Sequence, residues 1–238
     1  MQCSRAISEC EISDCEIPKR EGHEMTTAIS DPPTPSRRRV VFRWRVVDII
    51  VAAVVGVAFG VVFYGWDLVY AIPTKPLELL LPGSQALLYG VWLIPGVLGA
   101  LIVRKPGAAL FTELVAATLE ALLGAQWGGF QTILQGVVQG LGAEVIFAIL
   151  FYSSWRLWAA ILAGTASGAS MAINDFINSY AGATLAFKTS YGISAVVSGA
   201  IIAGIGSWLL VRAIAKTGAL SRFAAGRETA ITASGSEG

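Results

Sequence analysis

The sequence predicts an all-α integral membrane protein that crosses the bilayer six times. Hydrophobic residues occupy 55% of its 238 positions and charged residues only 14%, whereas a soluble domain carries about 25% charged residues. The apolar residues fall into six runs, each long enough to cross about 30 Å of hydrocarbon as a helix. Lys and Arg collect at alternate ends of these runs, which is the pattern of a multi-pass protein.

The first 42 residues are polar and precede the first crossing. They contain too few apolar side chains to bury a core, so we expect a disordered cytoplasmic tail over residues 1–42. Cys3, Cys10, Cys15 and the single histidine, His23, all lie in this tail. The cysteine spacing matches neither a zinc site nor a redox pair, and a histidine general base in the membrane domain is excluded.

The first crossing is predicted at residues 46–70. It is longer than a bilayer requires, so its outer end, with Trp66, Asp67 and Tyr70, should rise into the interface, where aromatic side chains collect. The following segment, residues 71–84, contains three prolines. It is too short and too broken to span, and we expect it to lie at the surface or to fold over the domain as a lid.

Five further crossings complete the membrane domain, which is predicted to span residues 43–216 and to be followed by a cytoplasmic tail at 217–238. They are expected at residues 85–103, 106–126, 130–152, 157–177 and 187–211. Six crossings place both termini on one side of the membrane. That side receives 15 of the 17 Lys and Arg residues, and the other receives only Lys75 and Lys188, so both termini are predicted to be cytoplasmic.

Two acidic residues interrupt the third crossing. Glu113 and Glu120 are seven positions apart, so they differ by only about 20° around a helix and share one face. A carboxylate that faces lipid costs several kcal/mol, and this face should therefore point into protein or a watered cavity. With the predicted orientation, Glu120 lies in the outer half of the membrane and Glu113 near its middle.

Other polar and aromatic side chains are predicted to reach the same outer layer. The fourth crossing places glutamines at every fourth position, and the fifth ends in Asn and Asp. Rings can stack on a small polar aromatic ligand while acids and amides bond its edges. Any single aromatic or amide could instead serve interface anchoring or helix packing. The predicted substrate-binding residues are Tyr89, Trp92, Glu113, Glu120, Trp127, Gln131, Gln135, Asn174, Asp175 and Asn178.

Two more features of the crossings were interpreted as contacts. Ala52, Gly56 and Gly60 recur every four residues on the first crossing and form a smooth strip that a second helix can approach closely; we predict that this strip contacts a partner helix. Glu144 lies in the cytoplasmic half of the fourth crossing and faces away from the glutamines. It is interpreted as a structural or partner contact.

Catalytic motifs are missing from the sequence. Residues 182–189 come nearest to a nucleotide-binding loop, but Phe187 stands where the glycine before the lysine is required. No nucleophile elbow and no metal-binding motif is present. We therefore expect a protein that is not an enzyme and uses no cofactor or metal, and energy from ATP would have to come from another subunit.

Several long runs of this sequence resemble the YkoE family. They are RWRVVDIIVAAVVGVAFG at 43–60, WLIPGVLGALIVRKPGAALFTELVAA at 92–117, EALLGAQWG at 120–128, WLLVRAIAKTGAL at 208–220 and AGRE at 225–228. Members of that family are substrate-binding S components of energy-coupling-factor (ECF) vitamin importers, assigned to thiamin or its hydroxymethylpyrimidine (HMP) precursor.

The resemblance covers residues 43–228 and implies more than the residues alone. It implies a six-helix S-component bundle in a bacterial cell membrane, a ligand cavity open to the outside, and assembly with a transmembrane coupling subunit and two cytoplasmic ATPase subunits. In S components, small residues on the first helix meet the coupling subunit, and the strip described above matches that pattern. Glu120, Trp127 and Asn174 match, by residue type only, residues that thiamin-binding S components use.

Two alternative functions stay open at this point. Glu113 and Glu120 could relay protons in a secondary carrier for a small polar aromatic solute. A ligand-free membrane scaffold, in which the two acids bond neighbouring helices, is the other alternative. The resemblance favours the importer subunit.

Overall fold

The structure, a computed structural model, describes residues 43–220, 223 and 225–226. The predicted tail at residues 1–42 and most of the tail at 217–238 lie outside these residues. Within the described part of the chain, every regular element is helical. The prediction of an all-α fold is therefore confirmed.

Eight α-helices, one 3-10 helix and one π-helix follow one another in the described residues. The 3-10 helix Ser84–Leu93 runs directly into α3, and the π-helix Gly199–Ile205 joins α7 to α8, so residues 84–103 and 185–216 each form one continuous span. The α-helices are α1 Val46–Val69, α2 Ala71–Leu80, α3 Ile94–Val103, α4 Ala108–Leu123, α5 Gly129–Ile149, α6 Leu157–Asn178, α7 Leu185–Ser198 and α8 Gly206–Lys216.

Five helical spans are long and apolar enough to cross a membrane. They are α1, the span 84–103, α5, α6 and the span 185–216. The acid-bearing helix α4 has only 16 residues, which is fewer than the about 20 that a crossing requires. A glycine bounds α4 at each end, Gly107 before it and Gly124 after it, with φ angles of 82° and 109°. Glycine adopts such left-handed backbone readily, and this backbone interrupts a helix.

The strip of small residues on α1 packs against α4 of the same chain. Ala52, Gly56 and Gly60 are all buried. A Cβ atom added to Gly56 would lie 2.7 Å from the Val115 Cβ, and one added to Gly60 would lie 2.7 Å from the Leu119 Cβ. The prediction that this strip contacts a partner helix is therefore wrong in this structure, because α4 already occupies it.

The opposite face of α1 is the exposed one. Ile50, Val54, Val57 and Val61 are 54%, 60%, 48% and 57% exposed. Only 28% of the apolar span of α1 is buried, the smallest share among the five spans. This face, and not the strip of small residues, is the surface that α1 presents to lipid or to another subunit.

Glu144 caps the start of α4. Its carboxylate accepts the backbone N–H groups of Gly107 at 2.6 Å and Ala109 at 2.9 Å, and it accepts the Tyr152 hydroxyl at 2.7 Å. The first N–H groups of a helix have no partner within the helix and favour negative charge. Glu144 is therefore a structural contact that fixes the end of the helix carrying Glu113 and Glu120.

The seam between α6 and the π-helix also depends on glycine. A Cβ atom on Gly164 would lie 2.2 Å from the carbonyl oxygen of Gly199, and one on Gly168 would lie 2.3 Å from that of Ala195. The backbones therefore touch. This close packing brings α7 against the C-terminal part of α6, where the Tyr191 hydroxyl donates a 2.5 Å hydrogen bond to Asp175 Oδ2.

Candidate functional site

A cavity of about 160 Å³ lies inside the helical bundle. An apolar cavity of about 150 Å³ holds a benzene molecule, so this cavity has room for one small ring. Its lining comes from every helical span and from α4. The lining residues are Phe63, Tyr89, Trp92, Glu113, Ala117, Glu120, Trp127, Gln131, Thr132, Gln135, Gly136, Gln139, Met171, Asp175, Ser179, Tyr180 and Tyr191.

The structure brings eight of the ten predicted substrate-binding residues together around this cavity. The two exceptions are Asn174 and Asn178, which lie behind the lining. The Asn174 Nδ2 donates to Gln135 Oε1, and the Asn178 Nδ2 donates to Asn174 Oδ1 at 2.9 Å. They orient Gln135 instead of facing the cavity. The eight lining residues are Tyr89, Trp92, Glu113, Glu120, Trp127, Gln131, Gln135 and Asp175.

Other lining residues were not in the predicted set. Gln139 continues the four-residue spacing of Gln131 and Gln135, and that spacing could have identified it. Phe63 and Met171 carry no such signal, because apolar side chains on a helix are expected in the core. Only the packing of α1 and α6 around the cavity reveals them.

Tyr89, Trp92 and Trp127 line one wall of the cavity, and the Tyr70 ring behind them connects Trp92 to Trp127. The Trp92 ring lies 5.5 Å from that of Tyr89 and 5.6 Å from that of Tyr70, and Tyr70 lies 5.8 Å from Trp127. These are the separations of favourable edge-to-face and tilted ring pairs. Trp127 is 44% exposed, so its end of the cavity is called the mouth.

Trp127 stands on a short loop between two glycines in left-handed backbone. Gly124 has a φ angle of 109° and Gly128 one of 88°. Only glycine adopts such angles at little cost. The Gln126 side chain donates to the backbone oxygen of Asp67 at 3.3 Å and ties this loop to α1.

Two carboxyl groups face each other near the mouth. Glu120 is 2% exposed, and its Oε1 accepts the Trp92 Nε1–H at 3.0 Å. The Asp67 carboxyl is close enough to interact electrostatically with that of Glu120. Both Asp67 side-chain oxygens are shielded from solvent, and the side chains of Gln126, Glu120 and Trp127 lie around them. Asp67 had been assigned only to the interface.

Glu113 defines the opposite end of the cavity, which is called the floor. It lies seven residues, or about 10 Å along α4, from Glu120. Its side chain is 1% exposed, and Oε2 accepts the Gly96 backbone N–H at 2.7 Å. The other oxygen, Oε1, has no partner within the described part of the chain.

A third acidic residue, Asp175, lines the cavity beside two tyrosines. It accepts the Tyr191 hydroxyl, and the Tyr180 ring lies 5.3 Å from that of Tyr191. Burial, and next the charge of Asp175, raise the pKa of the Tyr180 hydroxyl. Tyr180 is therefore a hydrogen-bond donor at neutral pH.

The charges around the cavity are all of one sign. Glu113, Glu120 and Asp175 line it, and no Lys or Arg of residues 43–220 does so. Among the described residues, no group of three or more His, Cys, Asp or Glu side chains could hold a metal ion. The arrangement suits an organic ligand with one small ring, aromatic faces and several hydrogen-bonding edges.

Comparisons with known proteins point to membrane transport. The family model described as ABC-type cobalt transport system, permease component, matches residues 47–170. The putative HMP/thiamine permease protein YkoE of Bacillus subtilis (strain 168) is 33% identical over 186 residues, which are 78% of this chain and 92% of that protein. A crystal structure of an S-component of an ECF transporter superposes with a TM-score of 0.74 at 31% identity, covering 82% of this chain and 98% of that one.

These matches agree with the fold and the cavity. The chain is a multi-pass membrane protein, its relatives are transport components, and its bundle encloses a single-ring cavity. The aligned regions cover 92% of the Bacillus subtilis protein and 98% of the solved S-component. The chain therefore belongs to the YkoE family of S components, the substrate-binding subunits of ECF importers.

Proposed function

We propose that this S component captures HMP or thiamin from the outer side of the membrane. The observation that carries the proposal is the 160 Å³ cavity, whose walls combine aromatic rings with acids and amides. A relative of this chain is described as a putative HMP/thiamine permease protein, and the same ligand class fits the lining seen here.

The chemistry of an aminopyrimidine matches the cavity. Its flat ring can pack against Trp92 and Tyr89, and its exocyclic amine can donate to a carboxyl oxygen such as that of Glu120. The remaining edge atoms can bond to Gln131 and Gln135. The volume suits the single ring of HMP, and the second ring of thiamin requires Trp127 and its loop to move outward.

The membrane topology is part of the proposal. We propose that α4 is a sixth crossing, although its 16 residues span only about 24 Å, because it packs between α1 and α5 and follows α3 after a turn of only four residues. Both termini are proposed to be cytoplasmic, since one side of such a bundle receives 15 of the 17 Lys and Arg residues. The mouth of the cavity then opens outward.

Transport energy is proposed to come from separate subunits. An ECF S component works with an ECF module, and we propose that this chain binds a transmembrane coupling subunit and two cytoplasmic ATPases. Its sequence offers no nucleotide-binding loop of its own. The chain is then a transport subunit and not an enzyme.

Calorimetric titration of the purified full chain tests the substrate. We expect saturable binding of HMP and thiamin and no binding of the isolated thiazole alcohol. Glu120→Gln should weaken binding by about tenfold, because it replaces a carboxyl oxygen that accepts the ligand amine. Glu78→Gln is the matched control, since Glu78 is exposed on α2. Absence of binding to both HMP and thiamin contradicts the substrate proposal.

A proton-coupled carrier is the alternative that one observation favours. Glu113 and Glu120 lie on one face of α4 and line the same cavity without a cation, as in a proton pathway. Proteoliposomes that contain this chain alone decide between the two functions. Uptake driven by a proton gradient without ATPase subunits supports the carrier, and the S component predicts binding without such uptake.

A further inference from the structure

The floor of the cavity holds a carboxyl group with no oppositely charged partner among the described residues. Glu113 is 1% exposed. From α3 it faces the backbone of Gly96, and from α5 it faces Gly140, on which a Cβ atom would lie 3.1 Å from the Glu113 Cβ. Neither residue can supply a positive charge, and the other acids that line the cavity are Glu120 and Asp175.

Such surroundings favour the neutral form of the carboxyl group. Burial of an isolated carboxylate without a compensating charge is so costly that the group takes up a proton instead. The Glu113 carboxyl accepts one hydrogen bond, from the backbone N–H of Gly96. One such bond does not replace the hydration of a charged carboxylate.

The hydrogen bond from Gly96 also identifies which oxygen carries the proton. Glu113 Oε2 accepts the Gly96 N–H at 2.7 Å, so Oε2 is the carbonyl oxygen of the acid. Oε1 has no partner among the described residues, and a neutral carboxyl group has one O–H donor. The hydroxyl therefore belongs to Oε1.

We propose that Glu113 is a neutral hydrogen-bond donor at the floor and selects ligands that place an acceptor atom there. The inference rests on the proposed function and deepens it, because it defines which edge of the ligand lies deepest. A ring nitrogen without hydrogen, as in a pyrimidine, meets the Oε1 hydroxyl. A ligand that offers only N–H groups or a positive charge to the floor leaves that donor unpaired.

Two substitutions of Glu113 distinguish a neutral hydrogen-bond donor from a charged acceptor. Glu113→Gln keeps the shape and can present an N–H donor to the cavity, and Glu113→Leu keeps the approximate size without any donor. For HMP and thiamin, titrated into the purified full chain, we expect Glu113→Gln to bind within about threefold of wild type and Glu113→Leu to bind about tenfold more weakly or worse.

Three outcomes of the titrations bear on the proposal. The expected order, wild type close to Glu113→Gln and both far above Glu113→Leu, supports it. Equal losses in both variants overturn it, because they indicate a charged acceptor. Wild-type affinity in both variants also overturns it, because Glu113 then does not contact the ligand.

Difference infrared spectroscopy keeps the proposal testable if Glu113→Leu does not fold. The wild-type spectrum minus the Glu113→Gln spectrum at pH 7 should contain the C=O stretching band of a protonated carboxyl group, and HMP should shift that band. A carboxylate band in its place overturns the proposal. Wild-type protein that binds neither HMP nor thiamin defeats the proposed function, and the infrared band still decides whether Glu113 holds a proton.

Discussion

The mouth and the floor of the cavity place the same residue type in different surroundings. Glu120 and Glu113 lie on one face of α4, and they are 2% and 1% exposed. At the mouth, Glu120 accepts an indole N–H and faces the carboxyl of Asp67. At the floor, Glu113 accepts one backbone N–H, and its other oxygen has no partner in the described part of the chain.

The spacing of Glu113 and Glu120 determines which face of α4 they share, but the groups around each carboxyl determine what it can bind. Seven-residue spacing places both acids toward the cavity, but it does not distinguish them. Two carboxyl groups at the mouth present several acceptor oxygens and favour N–H donors on the ligand. A lone neutral acid at the floor favours an acceptor. An aminopyrimidine carries a donor and acceptors on different edges, so it can satisfy both ends at once.

Removing both acids at the mouth should have the largest effect on binding. In the double variant Asp67→Asn with Glu120→Gln, we expect HMP affinity to fall by about 100-fold, because each substitution replaces a carboxyl oxygen that can accept the ligand amine and costs about tenfold. Calorimetric titration measures the loss. The exposed Glu78→Gln variant should match wild type, and a double variant with unchanged affinity would remove the mouth from the binding site.

Gln135 tests the side wall between the two ends. Gln135→Leu should weaken HMP binding by about tenfold, since it removes a lining amide and leaves the Asn174 side chain without its acceptor. Asn178→Ala is the matched control, because Asn178 lies behind the lining and its Nδ2 donates to Asn174; it should change the affinity by about twofold or less. Similar losses in both variants contradict the distinction between lining and support.

Trp127 should show the smallest of these effects and should act mainly on kinetics. The ring is 44% exposed at the mouth, so Trp127→Ala removes a cover and little core packing. Stopped-flow fluorescence should record HMP dissociation that is about fivefold faster, and the melting temperature should stay near that of wild type. Unchanged dissociation with a lowered melting temperature would make Trp127 a packing residue.

Much of the fold can be predicted from hydropathy alone, but the ends of the helices depend on backbone φ angles. The apolar runs predict a helical membrane bundle, and the structure agrees. The sequence predicts that the fourth crossing continues to residue 152, but α5 ends at Ile149, because Phe151 and Tyr152 adopt φ angles of 50° and 52°. A hydropathy pattern contains no information on such angles.

The strip on α1 shows a second limit of sequence reasoning. Small residues at Ala52, Gly56 and Gly60 correctly indicate that a helix approaches closely. They do not indicate which helix, and the structure places α4 there instead of a partner. The complementary shape of Val115 and Leu119 on α4 is a property of the packed pair.

The candidate site also contains residues that the sequence could predict and residues that it could not. Acids and amides such as Glu120 and Gln135 could be predicted because burial of polar groups needs a reason. Phe63 and Met171 could not, because apolar lining and apolar core have the same pattern. Asp67 was missed as a cavity neighbour because its position near the end of α1 looks like an ordinary interface residue until α4 places Glu120 beside it.

A structure of the purified chain with HMP bound would show directly which edge of the ligand meets each end of the cavity. We expect HMP inside the cavity, with its ring against Trp92, its amine toward Glu120 at the mouth and a ring nitrogen within hydrogen-bonding distance of Glu113 Oε1. HMP bound outside this cavity, or bound with its amine at Glu113, would contradict these assignments.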